Sequence, residues 1–375
     1  MKIMITCLLG LLIAPLCAFG RPIGETKDEP RNQAGDLTLR LKSISFIEDN
    51  EFFNPIVQGY TLLGFFFQPE LIYSPSSKIS LRAGGHFLKY SGTEKFSQIR
   101  PVFSTTLNFS ERTLITLGSL SGPEKHQLFD PIFHDERLYN EYVEDGMQLI
   151  HRDSHFFTDT WISWENFIFR GDSTREQFTS GESFRYTSSP IAGFMSIDIP
   201  VQLEAKHFGG QISDYPQKTE SFFNFAGGAG LNFDINRKRG GEAGIEYLRF
   251  VNWMRNGDSI SGITSGRASW IRGYYAYKAL RVEAGYWNAH DFYSPNGNPI
   301  YSSVSDFNQG LVIHDRRIVT STTSIRFFPV SFAEFYFAVD MFYDVDLGRF
   351  DQTYVLHINF DKLISLNSRR RNMNM

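Results

Sequence analysis

The chain has 375 residues and a formal net charge of −4. That is enough for two soluble domains or one large barrel, and it excludes a dedicated polyanion binder, so no nucleic-acid partner is expected. Aromatic residues reach 15%, with 36 Phe and 17 Tyr, yet only 42% of the chain is hydrophobic, a balance that suits a barrel with aromatic girdles and a watery interior.

The first segment, MKIMITCLLGLLIAPLCAFG (1–20), has Lys2 in a positive n-region, an apolar core from Ile5 to Leu16, and small residues at Ala18 and Gly20. This is the pattern of a secretory signal peptide, with cleavage expected after Gly20. Its apolar core is shorter than the roughly 20 residues of a membrane-spanning helix. A lipoprotein cut before Cys17 is disfavoured, because Leu16 stands where a small residue is needed. Both cysteines, Cys7 and Cys17, lie inside this segment. The mature chain is therefore expected to have no disulfide, thiol nucleophile or cysteine-bound metal. Residues 21–35, RPIGETKDEPRNQAG, read as a flexible leader.

From Asp36 the chain breaks into short runs rich in Phe, Tyr, Val, Ile and Thr, separated by Gly, Pro, Asn and Ser. About sixteen strands are predicted, with 14–18 as the range. They span roughly 36–47, 61–74, 79–90, 99–109, 113–120, 146–151, 156–169, 177–189, 195–208, 222–235, 241–253, 266–277, 279–287, 318–328, 330–343 and 352–360. Connections after even-numbered strands are short, down to Lys278 or Pro329 alone, and those after odd-numbered strands are long, notably 121–145 and 288–317. Alternating short and long connections fit an up-and-down transmembrane barrel with tight periplasmic turns and larger outer loops. A Greek-key sandwich has no reason to obey that rhythm. The fold class expected is all-β, a transmembrane antiparallel up-and-down β-barrel over 36–360, followed by a periplasmic tail, 361–375.

Strand faces decide which side is wet. In MSIDIPVQLEAK (195–206), Ile197, Ile199, Val201, Leu203 and Ala205 share one parity, and Asp198, Gln202, Glu204 and Lys206 share the other. In a barrel the first set faces lipid and the second faces water in the lumen. Pro200 cannot donate a ladder hydrogen bond, so a bulge or bend is expected there. Phe223, Phe225, Ala229, Leu231 and Phe233 repeat the dyad pattern, whereas 241–253 and 266–277 are mixed on both parities.

The final run, YVLHINF (354–360), is similar to the C-terminal signal of outer-membrane barrels, although further residues follow it. NEFFNPIVQGYTLLGFFFQPELIYSP (50–75), WISWENFIFRGDSTREQFTSG (161–181) and AGYWNAHDFYSPNGNPIYSSVS (284–305) resemble a Bacteroidota type of outer-membrane protein with no assigned activity. The layout of the mature chain resembles sixteen-stranded porins. The resemblance implies an outer-membrane location and a pore, and transfers no catalytic residues.

Loop 121–145 is the expected constriction, with Glu124, Asp130, Asp135, Glu136, Glu141 and Glu144 against Arg137. Facing wall positions on the charged parity are Arg82, His86 and Arg100. Asp159, Glu165, Asp198, Glu204 and Lys206 are read as further pore wall. Opposed acidic and basic faces sort solutes by charge and size. The competing reading is a solvated acidic loop over the barrel mouth.

Other chemistry is weakly signalled. Asp159 and Glu165 flank Trp161, but spacing along one strand does not set the separation of carboxyl groups that glycoside hydrolysis needs. His290, Asp291, His314 and Asp315 lack the spacing of a metal motif. GSLSG (118–122) is one residue out of register for a nucleophile elbow. RKRG (237–240) reads as a basic periplasmic turn. The expectation is therefore a passive channel for small hydrophilic solutes, with no enzymatic activity, cofactor or metal. Its partners are outer-membrane lipid and the barrel-assembly machinery, and porins of this size suggest a homotrimer. A closed interaction barrel, a barrel-borne hydrolase and a soluble β protein are the alternatives.

Overall fold

The computed structural model describes residues 33–210, 212, 214–216, 219–236, 240–255 and 262–367. The predicted signal peptide, most of the leader and most of the basic turn lie outside the described residues.

Sixteen strands close into one barrel in which every strand pairs antiparallel with its chain neighbours and the first pairs with the last. They are β1 (Asp36–Glu51), β2 (Thr61–Ser76), β3 (Ile79–Tyr90), β4 (Gln98–Asn108), β5 (Thr113–Ser119), β6 (Asp145–Arg152), β7 (Phe156–Asn166) and β8 (Glu176–Thr187). The second half is β9 (Met195–Gly209), β10 (Glu220–Asn236), β11 (Gly241–Arg255), β12 (Ser265–Tyr277), β13 (Leu280–His290), β14 (Asp315–Val330), β15 (Ala333–Asp344) and β16 (Arg349–Ser365). Closure leaves no sheet edge, which is what lets strands sit in lipid with every backbone group paired. No described helix is long and apolar enough to cross a membrane. β16 runs past Phe360 and keeps pairing with β1 as far as Thr38 and Ser365.

The tight turns share one rim with both barrel ends of the chain, and the long loops share the other. By the usual asymmetry of such barrels the long-loop rim is the outer one. The β12–β13 turn needs only Lys278 and Ala279, with Lys278 in the left-handed region at φ 54°. Pro329 lies inside β14, where the pairing with β15 is irregular between Phe327 and Val330, so the missing donor falls at a break in the ladder.

β9 carries its dyad pattern into the barrel. Ile199, Val201 and Leu203 are exposed on the outer wall, while Asp198, Gln202, Glu204 and Lys206 are buried in the bore. Pro200 causes no bulge. The β9–β10 register is the same on both sides of it, with Asp198 opposite Gly230 and Val201 opposite Gly227, and the ladder loses only the pairing between them. An Ile199→Lys substitution puts a charge on the lipid face at a cost of about 2–4 kcal/mol near mid-membrane. It is expected to reduce the folded, heat-modifiable fraction recovered from outer membranes, which gel mobility measures directly.

The bore is filled from within. Loop 120–144 packs Tyr139, Tyr142 and Val143 on Ile44, Phe46, Phe66, Leu88 and Val102 of β1–β4. It packs Phe129 and Ile132 in a second cluster with Phe250, Trp270 and Trp287 of β11–β13. Loop 291–314 adds Phe292, Ile300 and Tyr301 to that second cluster. One loop thus touches opposite walls and spans the bore.

Candidate functional site

The predicted constriction residues fall into separate environments. Glu124 lies 3.2 Å from Lys42 of β1 and shares it with the Tyr142 hydroxyl. Glu144 accepts from His126 Nε2 at 2.9 Å, and Asp159 of β7 accepts from His126 Nδ1 at 2.9 Å. Asp130 accepts from Asn298 of the other bore loop at 2.8 Å, and Asp135 is exposed. Arg137 pairs with Glu141 at 2.6 Å within one helical turn, Arg137–Asn140. Glu136 accepts from the Tyr60 hydroxyl.

Wall residues divide by height. Arg82 donates to Leu120 O at 2.9 Å, and Arg100 donates to Val143 O at 2.8 Å, so both grip loop backbone. The His86 ring stacks on Tyr142 with centroids 5.9 Å apart. Lys206 pairs with Glu165, and Glu204 accepts from Asn296 at 2.6 Å. Asp198 is remote from the loop, paired with Arg185 at 2.8 Å near the short-turn rim. Gln202 is not a free wall position, because its side chain accepts from Phe129 N and donates to Gln127 O, both at 2.8 Å.

The tightest knot centres on a residue that no sequence motif singled out. His126 is fully buried, bridges Glu144 and Asp159, and stacks on Trp161 with centroids 3.7 Å apart. Trp161 lies flat against the wall because Gly181 opposite has no Cβ, which would fall 2.2 Å from the indole. Burial pushes the His126 imidazole down, but the two carboxylates outweigh it and raise it to about 10. Both ring nitrogens then donate, and the group is an imidazolium clamp between loop and wall. Arg316 of β14 does the same for loop 291–314. It is buried against Asp344 at 2.7 Å and donates to Ile300 O at 2.7 Å and Ser302 O at 2.6 Å.

A different arrangement sits at the outer mouth, where β1 ends and β2 begins. Glu48 is the last but one inward position of β1, held by Asn50 at 3.3 Å. His134 and Glu136 come over from loop 120–144, and the loops are tied where His134 N donates to Asn296 O at 2.7 Å. One ligand atom from each of Glu48, His134 and Glu136 lies within 4.8 Å of the others. Burial holds the His134 imidazole below its usual value, against the opposing pull of Glu136, so the ring is neutral. An imidazole beside two acidic side chains can accept a proton, or the same set can offer one nitrogen and two oxygens to a divalent cation. Tyr60, exposed at the start of this corner, donates its hydroxyl to Glu136.

The model of the Lipid A 3'-O-deacylase-type family matches residues 28–369. The chain belongs to this family. As a Lipid A 3'-O-deacylase-type protein it is an outer-membrane barrel, and solved outer-membrane proteins share its fold. OprD from Pseudomonas aeruginosa is 11% identical, with 92% of this chain and 98% of that chain covered and a TM-score of 0.52. A loop-deletion mutant of OmpT from Vibrio cholerae is 11% identical, with 88% and 100% covered and a TM-score of 0.51. No curated protein sequence matches the chain.

Family membership overturns one expectation, that the chain is not an enzyme, because this family is named for an enzymatic activity. Glu48 and the pair His134 and Glu136 form no linear motif, because they are far apart in sequence and meet only when loop 120–144 enters the bore. The available signal was a His and a Glu one residue apart in an aromatic-rich outer loop. The His–Asp pairs considered from sequence form on the outside of the barrel instead, His290 with Asp315 at 2.7 Å and His314 with Asp291 at 2.6 Å.

Proposed function

We propose that this barrel hydrolyses an ester-linked acyl chain of lipid A at its outer mouth, with His134 as the base. The observation that carries the reading is His134 grouped with Glu48 and Glu136, in a member of a family named for this reaction. His134 takes a proton from water as the water oxygen bonds to the acyl carbon. The ester C–O bond then breaks, and the sugar oxygen leaves with that proton, giving a free fatty acid and a sugar hydroxyl. Tyr60 and Asn50 supply O–H and N–H groups beside the cluster. A divalent cation held by Glu48 and Glu136 would polarise the carbonyl and leave the His134 nitrogen free to take the proton.

Lipid A isolated from cells that express the protein should lack one ester-linked acyl chain relative to cells that do not. Identical lipid A masses in the two would refute the proposal.

Passive diffusion of small hydrophilic solutes is the second reading, favoured by the closed sixteen-strand barrel the chain shares with the outer-membrane protein OprD. It gains less support, because two loops with aromatic cores occupy the bore. A homotrimer remains part of that second reading.

A further inference from the structure

The outer wall of β11–β14 breaks the lipid-facing pattern in one place. Trp270 and Trp287 point into the bore and are buried, so Arg267, Ser269, Asn288 and His290 point out. Strand register places these side chains in rows. Tyr247, Ile271, Tyr286, Val319 and Tyr343 are successive partners across β11–β15, and all are exposed. Such a row is an aromatic girdle at the membrane interface.

One step toward the long-loop rim, the next outward row reads Arg249, Ser269, Asn288, Arg317. The row above it carries Arg267, His290 and Asp315. Arg317 is neutralised by Asp346 at 2.5 Å, and His290 is engaged by Asp315. Arg249 and Arg267 are exposed, diagonal neighbours on adjacent strands, and have no hydrogen-bond or ion-pair partner among the described residues. Across the barrel, the outer ends of β2–β4 show lipid Leu63, Phe65, Phe87 and Ile99, with the single cation Lys89 among them.

Two unpaired arginines on a lipid-facing wall are costly unless anions meet them there. Just beyond the girdle of the outer rim, the groups at that height are headgroups of the outer leaflet. Guanidinium forks match phosphate oxygens in two-pronged hydrogen bonds. Ser269 and Asn288 add a hydroxyl and an amide of the kind that bind sugar hydroxyls. We propose that the outer face of β11–β14 is a docking site for the phosphorylated sugar headgroup of an outer-leaflet glycolipid, with Arg249 and Arg267 as its phosphate ligands. The site is on a different wall from the mouth cluster and does not rest on the hydrolase reading.

The test uses the purified full-length barrel in detergent, with bis-phosphorylated lipid A as probe and native mass spectrometry to count retained lipid. The wild-type barrel should retain the phosphorylated probe and release its dephosphorylated form. Arg249→Gln combined with Arg267→Gln should weaken retention roughly tenfold, as expected for loss of charge-assisted contacts. The Arg249→Lys, Arg267→Lys pair should keep most of the binding. Inorganic phosphate at millimolar concentration should not displace the lipid, because it lacks the sugar and acyl contacts. Equal retention of phosphorylated and dephosphorylated lipid by the wild-type barrel would overturn the proposal without any variant. So would undiminished retention by the folded Gln pair, or full displacement by inorganic phosphate.

Discussion

His134→Ala is expected to leave a folded, heat-modifiable barrel that releases acyl chains roughly a hundredfold to ten-thousandfold more slowly, the usual worth of a general base. The side chain is half-buried at the mouth and makes no contact that holds the barrel closed, since the tie between the two bore loops uses its backbone N–H to Asn296 O. Losing the imidazole therefore removes the proton acceptor and leaves the loop in place. Glu48→Gln and Glu136→Gln should lower the rate by less, because each keeps the size of the side chain and leaves the imidazole in place. If all three act together, combining them with His134→Ala should add little, since residues that act as a unit are not additive. Fatty acid release from lipid A in detergent, measured by mass spectrometry, reads all of these. An unchanged rate in His134→Ala would remove this residue from the reaction.

The second large effect concerns the seal of the bore. His126→Ala removes the cation that two buried carboxylates share and leaves Glu144 and Asp159 facing each other without it. Breaking a buried ion pair from one side costs about 3–5 kcal/mol. The wall strands do not depend on His126, so the loss should appear as release of loop 120–144 and not as unfolding of the barrel. In planar bilayers the variant should conduct ions where the wild-type barrel conducts few. The pH dependence has a definite sign. His126 is raised to about 10 from an ordinary value of 6.5, so its contribution is fully present below 6.5 and is lost as pH rises through 10. Wild-type conductance should therefore grow above about pH 10 and stay low toward acid. A variant as closed as the wild type at neutral pH would show that the clamp does not hold the loop.

Much of the fold was legible because barrel strands are local in sequence. Period-2 alternation in 195–206 and 222–235 named the lipid face, and the turn residues fixed the order of short and long connections. The places where alternation blurred, 241–253 and 266–277, now have a physical reason. There the inward face is apolar, with Leu248, Phe250, Ala268 and Trp270, because it packs on the bore loops and not on water. The outward face is partly polar, with Arg249 and Arg267 exposed on it. Two departures from the lipid-out, water-in rule on the same strands cancelled the signal.

The interior was less legible. A loop entering the bore converts wall charges from pore lining into loop anchors, as Gln202, Arg82 and Arg100 demonstrate, and nothing in strand periodicity foretells which partner each will meet. Gln202→Lys, tolerable on a water-filled wall, would here break two hydrogen bonds to loop backbone. Loop 121–145 stands out in the sequence for its charge, and its aromatic residues pack inside the bore. His126 and His134 within it were passed over because neither sits in a spacing that implies chemistry. Their roles are set by Asp159 and Glu48 on strands at opposite sides of the loop.

The most direct measurement is the mass of lipid A after incubation with the purified, folded barrel. Loss of one ester-linked acyl chain, with the matching free fatty acid and strong dependence on His134, is the predicted result. Lipid A recovered at its starting mass, from a barrel shown to be folded and supplied with divalent cations, would contradict the account.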